Sequence, residues 1–186
     1  MSSSAPSAAP VVYDIDPAHT AAHFSVRHMM ITNVKGEFSK VSGTVTFSPN
    51  NLAASRIEAT IDATSIRTRE EQRDTHLKSA DFLDVANYPE IRFVSKSIES
   101  QGEGEYRVKG DLTIRGVTRE VTLDVDSVTP EVKDPWGNIK AGASATTKID
   151  REDFGLHWNV ALEAGGVLVG KQVSISLEVE LMRRAA

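Results

Sequence analysis

Cysteine is missing altogether from this chain of 186 residues. That excludes disulfide staples, thiolate metal sites and a cysteine nucleophile, and leaves the redox compartment open. Long apolar runs are missing as well: none approaches the roughly 18–20 residues that carry a helix across a bilayer. Aromatic residues make up only 6%, and most fall at positions read as inward, where core packing explains them. Positive charge is in deficit, with 21 Lys and Arg against 26 Asp and Glu, a net charge of -5 and a pI near 5.6. A surface that tracks phosphates needs the opposite sign, so nucleic acid is not an expected partner. The cations of Arg67-Thr-Arg-Glu-Glu-Gln-Arg73 are mixed with acids, and no cationic stripe forms.

What is present reads as one globular domain. Apolar residues reach 40% and charged residues 25%, values of a folding chain, and the length buries a core without covalent staples. The opening Met1-Ser-Ser-Ser-Ala-Pro-Ser-Ala-Ala-Pro10 has no basic n-region and no apolar h-region, so it is read as a disordered leader over 1–11, not a signal peptide. A single domain over 12–182 and a tail over 183–186 follow. A cytoplasmic location is expected from the sequence as it stands, and a periplasmic one if a longer leader was removed.

Period two dominates. Arg56 to Ala63 alternates Ile57, Ala59, Ile61 and Ala63 with polar residues. The C-terminal run sets Val173, Ile175, Leu177, Val179 and Leu181 against Ser174, Ser176, Glu178 and Glu180. Such runs are strands with one apolar and one wet face. Further runs are Ala22-Phe24-Val26-His28, Gly43-Val45-Phe47, Ile91-Phe93, Val108-Gly110-Leu112-Ile114, Val121-Leu123-Val125 and, more weakly, Ala141 to Ile149. Turn chemistry separates them at Ser48-Pro-Asn-Asn51, Gln101-Gly-Glu-Gly104, Arg115-Gly-Val117 and Asp134-Pro-Trp-Gly-Asn138. About eight strands at hairpin spacing predict an all-β, up-and-down antiparallel barrel. One short helix is predicted near 69–79, opened by a capping box with Thr68 as N-cap and Glu71 reaching back. The aromatic stretch Asp81 to Pro89 after it suits packing over a barrel end.

Motifs for chemistry fail in turn. Gly165-Gly-Val-Leu-Val-Gly170-Lys171 resembles a phosphate loop, but Gln172 stands where Ser or Thr would hold magnesium, and the chain then enters a strand, not a helix. His19 and His23 would lie about 13 Å apart on one strand, too far to share a metal. His28 has the parity of Phe24 and Val26, so an inward imidazole must find a protein partner or a ligand's polar end. The acidic pairs Glu70/Glu71, Asp81/Asp84 and Asp150/Asp153 read as solvated surface, and no serine sits in a nucleophile elbow. No catalytic residue, metal or cofactor is expected.

Phrases along the chain carry a resemblance. Thr20-Ala-Ala-His-Phe-Ser-Val-Arg-His28, Val34-Lys-Gly-Glu-Phe38, Ala63-Thr-Ser-Ile-Arg-Thr68, Arg73-Asp-Thr-His-Leu-Lys-Ser-Ala-Asp-Phe82, Tyr88-Pro-Glu-Ile-Arg-Phe93, Gly110-Asp-Leu-Thr-Ile-Arg-Gly-Val-Thr118, Asp150-Arg-Glu-Asp-Phe-Gly-Leu156 and Val169-Gly-Lys-Gln-Val173 stand in the order of the YceI-like polyisoprenoid-binding proteins. The resemblance spans about 12–182. It implies an extended eight-stranded lipocalin-like barrel that binds, and carries or stores, a polyprenyl lipid or isoprenoid quinone, with roles in transport and stress response.

On that reading the channel is lined by Phe24, Val26, His28, Val45, Phe47, Ile57, Ile61, Phe93, Leu112, Ile114, Leu123, Ile175 and Leu177. His76 and Trp158 are the candidates for the mouth or head group. Small inward residues (Ala22, Gly43, Ala59, Ala63, Ser95, Gly110, Ala143, Ala145) are expected to leave the volume. Two other readings stay open: an enzyme acting on an apolar substrate inside the barrel, and a solidly packed structural or stress-protective module. Partly open sheet edges would allow a homodimer.

Overall fold

Alternating side chains bury one face and satisfy the backbone together only when the strands pair, and this chain pairs along most of its length. The computed structural model describes residues 9–185. Its strands are β1 (Val11–Ile15), β2 (Ala21–His28), β3 (Thr32–Phe38), β4 (Val41–Phe47), β5 (Arg56–Asp62), β6 (Ile66–Arg67), β7 (Glu90–Gly102), β8 (Glu105–Ile114), β9 (Val117–Asp126), β10 (Val132–Lys133), β11 (Ile139–Asp150) and β12 (Val169–Arg183). One helix, α1 (Glu71–Lys78), lies between β6 and β7.

All strands join one sheet, in the order β10-β11-β9-β8-β7-β5-β4-β1-β12-β2-β3-β6, and a further pairing of β11 with β12 closes it. Three of the barrel's staves are broken strands. β1 and β2 lie end to end along β12, with Tyr13 opposite Arg183 and Ala22 opposite Leu177. β4 and β3 lie along them in turn, with Thr44 opposite Asp14 and Phe38 opposite Ala22. β5 and β6 repeat the pattern, with Ile61 opposite Val41 and Ile66 opposite Phe38. With β7, β8, β9, β11 and β12 these make a closed antiparallel barrel of 8 strands, the architecture expected from the periodicity. Strand pairing begins at Val11 and ends at Arg183, one residue beyond each expected bound. Most of the expected leader lies outside the described residues.

Local chemistry explains the joints. β8 turns into β9 through Arg115 and Gly116, both left-handed at φ 49° and 71°, as a two-residue hairpin of this twist requires. The helix corrects one expectation. Its N-cap is Glu70, whose carboxylate accepts the N–H groups of Gln72 (3.0 Å) and Arg73 (2.6 Å). Thr68 is instead engaged by the Arg73 guanidinium and the Asp74 carboxylate. A carboxylate one residue from the helix start complements both the free amides and the dipole, and so displaces the hydroxyl cap. After α1, Phe82 and Leu83 are buried and pack with Ile91, Phe154 and Leu156, covering that end of the barrel.

Candidate functional site

The barrel encloses a cavity of about 610 Å³. Its wall includes the thirteen residues expected to line the channel: Phe24, Val26, His28, Val45, Phe47, Ile57, Ile61, Phe93, Leu112, Ile114, Leu123, Ile175 and Leu177. His76 and Trp158 line it too. Of the small residues, Ala22, Ala59, Ala143 and Ala145 face the cavity, whereas Gly43, Ala63, Ser95 and Gly110 do not. Gly110 lies under the Phe93 ring, where an added Cβ would come 2.5 Å from Cζ. A glycine covered by a cross-strand aromatic contributes twist, not volume. Ser95 is taken up by the backbone, its Oγ accepting the Ile57 N–H at 2.8 Å. The open volume therefore comes from the alanines.

Polar groups gather at the two ends. At the α1 end, the His76 ring stands edge-on to Trp158 (centroids 4.6 Å apart) and to Phe82 (5.1 Å). Its Nε2 lies 2.8 Å from Asp81 Oδ2, which fixes the ring and leaves Nδ1 as the other polar edge. Arg73 and Arg151 also line the cavity. Arg151 is only 4% exposed. Its guanidinium donates to Gly170 O (2.8 Å), Leu156 O (2.6 Å), Trp158 O (3.0 Å) and Val169 O (3.3 Å). Burial pulls its pKa below the ordinary arginine value, and Glu152 and Asp150 oppose that pull. Asn159 seals the same seam, donating to Val169 O (2.7 Å) and accepting the Val169 N–H (3.0 Å). Arg151 and Asn159 thus pin the Trp158 segment to the start of β12.

At the other end, the Tyr13 hydroxyl donates to Glu131 Oε1 at 2.6 Å. Burial, and then the Glu131 hydrogen bond, push the Tyr13 pKa up to about 12. Arg183 lies 3.1 Å from the same carboxylate. Phe47 and Tyr106 meet edge-on beside them, at 5.8 Å. Between the two ends the wall is overwhelmingly apolar, and at the α1 end its charged and titratable side chains are Arg27, His28, Arg73, His76 and Arg151.

Of the other sequence candidates, His23 reaches the cavity wall and the rest lie outside it. Asp16, His19 and Glu180 place their ligand atoms within 4.8 Å of one another, yet the Lys140 ammonium sits 3.1 Å from Asp16 and 2.6 Å from Glu180. A tethered cation already occupies that cluster. His23 lies 3.7 Å from Glu37. Gly170 and Lys171 belong to β12, so the glycine-rich run opens no helix. Arg73, Arg151, Tyr13 and Glu131 were missed from the sequence. Arg73 and Arg151 sit among acids, Tyr13 in a short strand and Glu131 in a loop, and each looks like ordinary surface; only tertiary contacts bring them to the cavity.

A family model for the YceI-like domain matches residues 13–181. A UPF0312 protein of Staphylococcus aureus (strain MSSA476) is 38% identical over 168 residues, covering 90% of this chain and 95% of its own length. Among solved structures, Burkholderia cenocepacia BcnA superposes with a TM-score of 0.75 at 25% identity, over 89% of this chain and 98% of its own. A domain of Saccharophagus degradans, described as polyisoprenoid-binding and implicated in plant cell wall breakdown, shares the fold with a TM-score of 0.63 at 14% identity, over 92% of this chain and 98% of its own.

Proposed function

This chain belongs to the YceI-like family, and on that premise we propose that its barrel binds, and carries or stores, a long-chain isoprenoid lipid. The observation that carries the reading is the distribution of polarity: a cavity of about 610 Å³ with an overwhelmingly apolar wall, Tyr13 and Glu131 at one end and Arg73, His76 and Arg151 at the other. A polyprenyl tail has no directional groups, so apolar burial and channel shape would recognise it, and the polar end would take the head. The head group, a quinone or a prenyl phosphate, is assigned to the α1 end, where His28, His76 and Trp158 meet the cavity. At about 0.3 kcal/mol per heavy atom, a tail of roughly 30 atoms approaches -9 kcal/mol, a sub-micromolar ceiling before the chain's ordering is charged against it. The cavity lies within the roughly 300–1,000 Å³ of small-molecule sites, so a tail exceeding it would emerge at an end.

The enzyme alternative rests on the His76–Asp81 pair, an imidazole oriented by a carboxylate at the cavity wall. Native mass spectrometry of the purified protein, followed by organic extraction, separates the readings. A co-purifying prenyl lipid, released chemically unchanged after prolonged incubation, is expected. A protein that carries no lipid and takes up none of the prenyl quinone or prenyl phosphate offered would overturn the carrier function.

A further inference from the structure

The hairpin joining β2 to β3 ends in Met29, Met30 and Ile31, exposed to 41%, 57% and 68%. Its turn suits other residues better. Met29 and Met30 both adopt left-handed φ, 50° and 59°, in the two-residue turn closed by the Ile31 N–H on His28 O (3.0 Å). Asn and Gly fill such turns readily and methionines do not. The conformation is braced from outside: the Met29 N–H donates to Leu168 O (2.8 Å), and the Arg27 guanidinium donates to Met30 O (3.1 Å). Leu168 in turn donates to Val160 O (2.9 Å), and Val160 is itself exposed. A convex apolar knob is thus held rigidly in water.

The hairpin's own charge runs against that of the molecule, although the turn beside Met30 carries one acid, Glu163. The stretch Arg27 to Lys35 holds two cations and no acid, in a chain of net charge -5. Among the described residues neither cation has a carboxylate partner; Glu37 and Glu152 are engaged by His23 and Lys171. Arg27, His28 and Leu168 also line the cavity, so the knob is continuous with the cavity wall.

We infer that this hairpin tip docks the protein on an anionic lipid bilayer. The side chains of Met29, Met30 and Ile31 enter the boundary between head groups and acyl chains, and Arg27 and Lys35 meet the anionic head groups above it. A convex tip bracketed by cations fits a deformable, negatively charged surface. For its purpose, loading the cavity from a bilayer, the inference rests on the carrier reading; docking itself is measured separately.

The test is co-sedimentation of the full chain with vesicles of phosphatidylglycerol and phosphatidylethanolamine, and with vesicles of phosphatidylcholine alone. Binding to the anionic vesicles only, weakening as salt is raised, is expected. The variant Met29→Asn/Met30→Gly/Ile31→Thr relaxes the turn and removes the apolar tip, and its partitioning should fall by about tenfold or more. Lys35→Gln, which lies outside the cavity wall, should weaken the salt-sensitive part. Both variants should keep the far-ultraviolet spectrum and the uptake of prenyl lipid from detergent, so a failure of docking is distinct from a failure of lipid binding. The inference is overturned if wild type stays in the supernatant with both vesicles, if it binds both alike, or if the tip variant sediments as wild type does. Loss of a dimer in the tip variant, without vesicle binding by wild type, would instead assign the surface to a second copy of the chain and likewise overturn it.

Discussion

A buried guanidinium without a buried carboxylate partner is an uncommon arrangement, and Arg151 manages it by donating to four backbone carbonyls. Two belong to the Trp158 segment and two to the β12 entry, so one side chain holds the cavity's end together. Replacing it with methionine keeps the volume and takes a donor from each of the four carbonyls, of which Val169 O retains the Asn159 amide. Arg151→Met should cost about 3–5 kcal/mol in urea unfolding. Arg151→Lys should recover only part of that, because an ammonium lacks the planar fork that reaches divergent acceptors. Unchanged stability in the methionine variant would mean that water serves those carbonyls equally well. None of this was legible in the sequence, where Arg151 between Asp150 and Glu152 looks like surface charge. Phe24, Val26, Ile175 and Leu177 were legible for the opposite reason. Side-chain alternation in a strand is forced by the backbone, so parity alone assigns the face.

At the scale of elements, each of the eight alternating runs read from the sequence lies on a different stave of the barrel. The breaks within staves were hidden. β1 is five residues long, and β3 carries Gly36 at an inward position, where the Phe24 ring supplies the missing bulk from across the pair. The break between β1 and β2 is tied down by Asp16, whose carboxylate meets His19 at 3.0 Å and Lys140 of β11 at 3.1 Å, while Lys140 also meets Glu180 of β12 at 2.6 Å. The His19 hydrogen bond, helped by the Ala18 N–H and Lys140, holds the Asp16 pKa down to about 2 against desolvation, from 3.8. A carboxylate with a depressed folded pKa stabilises above its unfolded value and loses that contribution as the pH falls through the folded one. Wild-type stability should therefore decline from about pH 4 toward pH 2. In Asp16→Asn that part of the decline should vanish, with lower stability at neutral pH. Chemical denaturation across this range would decide it: an identical acid slope in both proteins would show that the network does not hold the break.

At the scale of the whole molecule, closure through β11 and β12 removes the long sheet edges, and the order ends in β10 and β6, each of two residues. A closed wall makes the interior a container whose capacity depends on a few small side chains. Ala143 on β11 faces the cavity opposite Val179 of β12. Ala143→Leu would project three more carbons into the cavity, and burying them should raise lipid-free stability by about 1–2 kcal/mol. The same carbons take room from a ligand. A prenyl lipid at a hundred times its Kd should stabilise wild type by about 2.7 kcal/mol, and the leucine variant should gain less, the deficit growing with tail length. Thermal unfolding with and without prenyl lipids of graded length measures both effects at once. A solidly packed interior would give the reverse: about 1–3 kcal/mol lost to overpacking, with no dependence on added lipid in either protein. That outcome would leave the barrel a structural module, its alanines fitting against neighbours and not around a tail.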